Sequence, residues 1–136
     1  MIKLITGVPG TGKTRMLLDE VNEALKTSNG SVVCVEKGIK LRFDIDYTAR
    51  LINTDEYLVD TAPALYGFIA GLIASNHDIT HIFVDSALKI TGNDLPGFER
   101  NVLELERLVG KTGVNIVMTS SIEKGSEPDS IKKFIA

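Results

Sequence analysis

Apolar residues follow two patterns that alternate along the chain, short unbroken runs and longer stretches with helical spacing. Short runs rich in β-branched residues and bounded by turn residues are typical of strands buried in a parallel sheet. The predicted strands are residues 2–5, 31–36, 79–84 and 114–118. Apolar residues three or four positions apart predict helices over residues 13–27, between Thr61 and Asn76, and over residues 95–109.

One segment, residues 37–59, gives a mixed signal. Part of it is apolar at every second position, at Leu41, Phe43, Ile45 and Tyr47. This alternation predicts a half-exposed strand. Residues 51–52 and 57–59 are further candidates, and we expect at least one strand in the segment.

The order of these elements predicts the fold class. Strands that alternate with helices of these lengths indicate an α/β fold, with a mainly parallel sheet of about five strands covered by helices on both faces. A chain of 136 residues has room for one domain, residues 1–136. Hydrophobic residues make up 43% and charged residues 24%, which excludes a chain that is disordered throughout.

The net charge and the cysteine content of the chain indicate which classes of function it is compatible with. A formal net charge of −3 gives no support to binding of nucleic acid or of an anionic membrane. Cys34 is the single cysteine and lies in an apolar run, where a thiol packs as a small hydrophobe. No apolar stretch reaches the roughly 18 residues of a membrane span, and the amino terminus has no signal-peptide anatomy. These features predict a cytoplasmic protein.

A glycine-rich octapeptide between the first strand and the first helix is the most specific feature. The P-loop pattern G-x-x-x-x-G-K-[ST] is matched at every required position by Gly7-Val8-Pro9-Gly10-Thr11-Gly12-Lys13-Thr14. A strand before such a loop and a helix after it turn backbone N–H groups toward a phosphate chain. Lys13 offers positive charge to the β- and γ-phosphates, and the Thr14 hydroxyl is a candidate Mg²⁺ ligand. Residues 7–15, Arg15 included, are therefore the candidate site for a nucleoside triphosphate, ATP.

Asp85 is a second candidate, because it directly follows the predicted strand 79–84. A carboxylate at that end of a parallel strand lies at the same sheet edge as the glycine-rich loop, where it can hold Mg²⁺ through water. The next residue is Ser86, so the position that carries a water-activating glutamate in many P-loop ATPases is not acidic here.

With these motifs the chain resembles the RecA-like ATPases, especially their KaiC and RadA branch. In that group the magnesium aspartate is typically followed by serine, and the catalytic glutamate comes from the end of the second strand. This chain has both features, as Val84-Asp85-Ser86 and as Val33-Cys34-Val35-Glu36. Residues 113–120 are similar to the family's sensor strand. The resemblance covers the chain up to about Ser121 and implies a P-loop NTPase with a RecA-like three-layer α/β/α sandwich.

The resemblance also implies catalytic roles. Glu36 would be the general base that polarises the attacking water, and Thr119 or Ser120 would sense the γ-phosphate. Lys13, through its charge on the β- and γ-phosphates, is a further candidate catalytic residue. Ring-forming relatives receive an arginine or lysine finger from a neighbouring subunit. The cations that follow the sensor strand here are Lys124, Lys132 and Lys133, and we expect all three to be solvated surface charges.

The sequence thus predicts a small RecA-like domain that binds Mg-ATP and hydrolyses it slowly, and faster with a protein partner or a second copy of the chain. Two alternatives stay open. One is a small-molecule kinase resembling the thymidine kinase group, which would phosphorylate a nucleoside. The other is a nucleotide-binding switch, in which ATP orders residues 37–59 into a partner surface without useful catalysis.

Overall fold

The computed structural model describes residues 1–136 and contains one sheet. Its strands are β1 (Ile2–Thr6), β2 (Ser31–Glu36), β3 (Arg50–Asn53), β4 (Ile79–Val84) and β5 (Asn115–Ser120). The α-helices are α1 (Lys13–Thr27), α2 (Ala62–Ser75), α3 (Ala87–Ile90) and α4 (Leu95–Thr112). Short 3₁₀ helices lie at Thr54–Tyr57 and Asp129–Phe134.

The sheet has the order β1-β5-β4-β2-β3, and every pairing is parallel. This confirms the predicted α/β class with a parallel sheet. The free edge of β1 is partly covered by the end of the chain, where Ile135 bridges to Leu4 and the Ala136 N–H donates to the Leu4 carbonyl at 2.8 Å. Because all strands run in one direction, their carboxyl ends share a single edge of the sheet.

The two faces of the sheet carry separate cores. On one face α2 and α4 bury side chains such as Leu65 and Phe98 against β4 and β5. On the other face α1 packs Leu17 and Val21 against Phe83 and its neighbours. The Thr61 hydroxyl accepts a hydrogen bond from the Ala64 N–H at 3.2 Å and so caps the amino end of α2.

The segment after β2 differs from the prediction. Residues 41–47 form turns, so the strand predicted from their alternation is wrong, and the strand of this segment is β3. Leu41, Ile45 and Ala49 are buried in the same core as α1, whereas Phe43 is 85% and Tyr47 94% exposed. Leu41, Ile45 and Ala49 are four positions apart. Residues that are apolar at every second position include this spacing, so the alternation did not distinguish a strand from these turns.

Two further differences concern the ends of elements. The short helix α3 was not predicted, and β5 extends two residues beyond the predicted strand, through Thr119 and Ser120. No helix combines the length and the apolar character that a membrane span requires.

Candidate functional site

The glycine-rich loop joins the end of β1 to the first turn of α1, at the carboxyl edge of the sheet. Gly7, Gly10 and Gly12 all have positive φ angles, of 146°, 85° and 85°. A Cβ on Gly7 would lie 2.6 Å from Thr11 Oγ1, so a side chain there would displace the Thr11 hydroxyl that donates to the Val8 carbonyl. Glycine at this position therefore allows the tight turn that brings the backbone over the start of α1.

Two side chains of the loop meet at one carbonyl. Thr11 Oγ1 donates to the Val8 carbonyl oxygen at 2.8 Å, and Lys13 Nζ donates to the same oxygen at 3.0 Å. Partial desolvation lowers the pKa of Lys13, and the nearby charge of Asp85 opposes that shift. The ammonium group of Lys13 is thus held next to the backbone of the glycine-rich loop.

A polar depression of about 350 Å³ opens beside the loop. Its lining residues are Pro9, Gly10, Gly12, Lys13, Thr14, Arg15, Ser86, Thr119 and Ser121. The lining contains six of the residues predicted to bind nucleotide, whereas Gly7, Val8 and Thr11 shape the loop behind it. No large apolar side chain faces this depression, so it suits a charged, hydrated group more than an apolar ring.

Asp85 is the centre of a hydrogen-bonded cluster at the floor of the site. Thr14 Oγ1 lies 3.2 and 3.3 Å from the two Asp85 carboxylate oxygens. Thr119 Oγ1 donates to Asp85 Oδ1 at 2.7 Å and accepts from the Ser86 N–H at 2.7 Å. The Asp85 N–H in turn donates to the Val35 carbonyl at 2.9 Å, which fixes its position against β2.

The backbone at Ser86 is unusual. Its φ of 58° lies in the left-handed region, which is uncommon for a residue with a side chain. This conformation turns the chain from β4 into α3 and directs the Ser86 N–H to Thr119. Such locally strained backbone persists only where surrounding contacts hold it, and it is concentrated at functional sites.

The donor set at Asp85 fits Mg²⁺. A hydroxyl and a carboxylate offer hard oxygen ligands, and Mg²⁺ commonly takes one or two carboxylates together with substrate phosphates and water. No cluster of three or more His, Cys, Asp or Glu residues that could hold a metal exists in the chain. Thr14 and Asp85 supply oxygen ligands from two side chains, so a cation held by them would need further ligands from water or a bound molecule.

Glu36 ends β2 and is only 2% exposed. Its carboxylate accepts the Lys40 N–H at 3.1 Å and the Leu41 N–H at 2.9 Å, so it holds the start of the segment that follows β2. Burial raises the pKa of Glu36, although the two backbone hydrogen bonds act in the opposite direction. A raised pKa makes this carboxylate a stronger base than an exposed glutamate.

A pocket of about 140 Å³ adjoins the polar depression and contains Glu36. Its lining residues are Thr14, Glu36, Lys37, Lys40, Leu41, Asp85, Ser86 and Lys89. Thr14 and Ser86 line both spaces, so the depression and the pocket are continuous along the edge of the sheet.

The two predicted sensor residues lie in different surroundings. Thr119 lines the depression and contacts Asp85, whereas Ser120 is fully buried and its hydroxyl has no hydrogen-bond partner. Successive residues of a strand point to opposite faces, so both cannot face the site. Ser121 also lines the depression, although it was not among the predicted site residues.

Glu127 is a buried acidic residue that sequence reasoning missed. It accepts the Thr6 hydroxyl at 2.8 Å and the Gly125 N–H at 2.8 Å. The hydrogen bond from Thr6 is the main reason that the pKa of Glu127 is lowered. Gly7 directly follows Thr6, and its N–H donates to the Ile122 carbonyl at 2.8 Å. The segment after β5 therefore anchors the start of the glycine-rich loop.

No family model and no curated protein matches this chain. The functional argument therefore depends on the geometry of the site.

Proposed function

We propose that the chain is a RecA-like P-loop protein that binds Mg-ATP and hydrolyses it slowly. The observation that carries the proposal is the cluster of Thr14, Asp85 and Thr119, which lies directly beside a glycine-rich loop of P-loop sequence. The three side chains come from α1, the end of β4 and β5, elements far apart in the sequence. Their convergence where the polar depression meets the adjoining pocket favours phosphate and metal binding over a solvated turn.

The order of the sheet supports the RecA-like part of the proposal. β5 lies between β1 and β4. Thr119, the predicted sensor, is thereby inserted between the glycine-rich loop and Asp85. This is where a hydroxyl must lie if it is to respond to both the phosphate chain and the metal ligand.

In the proposed mechanism the loop N–H groups and Lys13 bind the phosphate chain, and Thr14 and Asp85 hold Mg²⁺. Mg²⁺, when bound there, would supply positive charge that offsets the negative charge of the phosphate chain. Glu36 accepts a proton from water as the water oxygen bonds to the γ-phosphorus. The bond from that phosphorus to the bridging oxygen breaks, and ADP and inorganic phosphate result.

The hydrogen bonds of Glu36 leave room for this role. A carboxylate offers about four acceptor sites, of which the Lys40 and Leu41 N–H groups use two. Protonation of Glu36 during hydrolysis would weaken its hold on those two N–H groups. Catalysis at Glu36 would therefore loosen the segment that follows β2.

The same contacts favour the switch as a second candidate function. The segment held by Glu36 carries Phe43 and Tyr47, both almost fully exposed. A nucleotide that changes the hydrogen bonds of Glu36 would change how these aromatic side chains are presented to a partner.

The experiment that tests the proposal is ATP binding and turnover in Glu36→Gln. An amide side chain cannot act as the base, so we expect ATP affinity to be kept and turnover to fall by about a hundredfold or more. In the unaltered protein the base works as a carboxylate, so turnover falls as the pH drops through the pKa of Glu36. Because burial raises that pKa, this loss begins at a higher pH than an exposed glutamate would give.

The exposed Glu56 provides the control, and Glu56→Gln is expected to leave turnover unchanged. Turnover in Glu36→Gln equal to that of the unaltered protein would remove Glu36 from the mechanism. Negligible turnover in the unaltered protein, combined with much tighter binding of ATP than of ADP, would favour the switch over the hydrolase.

A further inference from the structure

Three lysines surround the small pocket that adjoins the candidate nucleotide site. Lys37, Lys40 and Lys89 line it together with the carboxylates of Glu36 and Asp85. Two of the lysines follow β2 and the third lies on α3, so separate elements bring these charges together. We call this space the lysine pocket.

The three lysines differ in how their charge is compensated. Lys37 Nζ forms an ion pair with Asp55 at 2.7 Å. Lys40 and Lys89 form no side-chain ion pair or hydrogen bond and are exposed. The charge of Lys40 acts on the Glu36 carboxyl and partly offsets the rise in its pKa that burial causes. The lysines of the pocket that form no ion pair are therefore Lys40 and Lys89.

The position of the lysine pocket fixes which part of a ligand it meets. Thr14 and Ser86 line both the lysine pocket and the polar depression beside the glycine-rich loop. A phosphate chain that began at the loop and passed the Thr14 and Asp85 oxygens would reach this pocket with its far end. There the terminal phosphate would face two carboxylates, Glu36 and Asp85, unless cations compensate them.

We propose that Lys40 and Lys89 form a subsite for the terminal phosphate of a nucleoside triphosphate. This inference rests on the proposed function and deepens it. The chain then supplies from its own α3 and its own post-β2 segment the positive charge that a finger residue would bring from another subunit. The subsite also makes the chain bind a triphosphate more tightly than a diphosphate, because a diphosphate does not reach the lysine pocket.

The cations near the end of the chain do not offer this charge as readily. Lys132 forms an ion pair with Asp129 at 2.9 Å, and Lys133 forms one with Glu106 at 3.3 Å. Neither residue lines the polar depression or the lysine pocket. Lys40 and Lys89, which line the lysine pocket and form no ion pair, are therefore better placed than Lys132 and Lys133 to stabilise a terminal phosphate.

The test is calorimetric titration of the full chain, in millimolar Mg²⁺, with ADP and with a non-hydrolysable ATP analogue. We expect Lys89→Ala and Lys40→Ala each to weaken binding of the analogue about tenfold, as loss of one charge-assisted contact does, and to leave ADP affinity within about twofold. Lys89→Arg, which keeps the charge, should retain most of the affinity for the analogue. The matched control is Lys111→Ala, an exposed lysine near the end of α4, at the opposite edge of the sheet.

The possible outcomes distinguish failure of the proposed subsite from failure of the proposed function. Equal affinities of the unaltered protein and both alanine variants for the analogue would overturn the subsite and leave the proposed function standing. Equal weakening for ADP and the analogue would also overturn it, since the lysines would then act on the whole nucleotide. If the unaltered protein bound neither nucleotide, the proposed function would fail first. Thermal unfolding of each variant establishes that it is folded.

Discussion

At the residue scale, the hydroxyl of Thr119 links the backbone of one element to the side chain of another. It accepts from the Ser86 N–H and donates to the Asp85 carboxylate, both at 2.7 Å. The first contact holds the left-handed turn at Ser86, and the second orients the oxygens that also meet Thr14. A single hydroxyl thus determines both the path of the chain after β4 and the direction of a candidate metal ligand.

Replacing Thr119 by valine keeps the shape of the side chain and removes the hydroxyl. The Ser86 N–H then has no acceptor, and we expect the free energy of unfolding to fall by about 1–3 kcal/mol. Asp85 is also freed to rotate, so a higher Mg²⁺ concentration should be needed for ATP binding. Urea denaturation measures the first effect, and titrations with ATP over a series of Mg²⁺ concentrations measure the second.

Thr119→Ser retains the hydroxyl and is the matched control. It should preserve the Mg²⁺ dependence of ATP binding and most of the stability. If Thr119→Val left both quantities unchanged, the cluster around Asp85 would not have the role given to it here.

Individual site residues differ in how far the sequence could predict their surroundings. The approach of Thr14 to Asp85 follows from a parallel sheet, because the end of β4 and the glycine-rich loop share an edge. Whether Thr119 or Ser120 faces the site depends on which side of the sheet each residue of β5 points to. Tertiary packing decides this orientation, so the sequence pattern alone does not predict it. The hydrogen bonds that the Glu36 carboxylate accepts from the Lys40 and Leu41 N–H groups depend on a turn that no local pattern indicated.

At the element scale, the segment from 37 to 49 takes the place of a second helix on the α1 face of the sheet. Leu41, Ile45 and Ala49 contribute to the core on that face, although the residues around them form turns. Apolar residues at every second position also fall at every fourth, so the sequence pattern was compatible with both arrangements. β3 occupies the edge of β2 that faces away from β4, so residues 41–47 do not pair with β2.

The segment after β5 is the second element that shapes the site. Its Ile122 carbonyl holds the Gly7 N–H, and its Glu127 carboxylate holds the Thr6 hydroxyl. These contacts span more than a hundred positions of sequence, so no local reading of the chain could reveal them. They fix the end of β1 at the point where the glycine-rich loop begins.

Glu127→Ala should destabilise the protein, because the Thr6 hydroxyl and the Gly125 N–H lose their acceptors. We expect a loss of about 1–3 kcal/mol near neutral pH. The folded-state pKa of Glu127 is below its ordinary value of 4.5, so its contribution to stability is present above that pH and is lost as the pH falls through the lowered pKa. The difference between the two proteins should therefore shrink in acid, which urea denaturation at about pH 7 and about pH 3 measures.

Glu123→Ala is the control, since the side chain of Glu123 is exposed and makes no hydrogen bond. A loss in Glu127→Ala that was as large in acid as at neutral pH would mean that the ionised carboxylate is not the stabilising group.

At the scale of the whole molecule, one feature of the topology creates the site. All five strands are parallel, so the glycine-rich loop after β1, Glu36 after β2, Asp85 after β4 and the end of β5 reach the same edge. The alternation of strands and helices in the sequence is sufficient to predict this edge. The order of the strands, and with it the insertion of β5 between β1 and β4, is a product of tertiary packing.

The carboxyl edge of the sheet and the two hydrophobic cores have different roles. The polar depression and the lysine pocket both lie there, whereas the two cores on either side of the sheet contain few polar groups. The cores hold the strand ends in register, and the loops between the elements supply the chemistry.

The central claim is that the glycine-rich loop and Lys13 bind the phosphates of ATP, and calorimetric titration in millimolar Mg²⁺ tests it most directly. The unaltered protein should give saturable heat with ATP. Lys13→Ala should give none, and Lys26→Ala, in the last turn of the same helix, should bind as the unaltered protein does. Absence of binding to any nucleoside triphosphate in the unaltered protein, or undiminished binding in Lys13→Ala, would contradict the account.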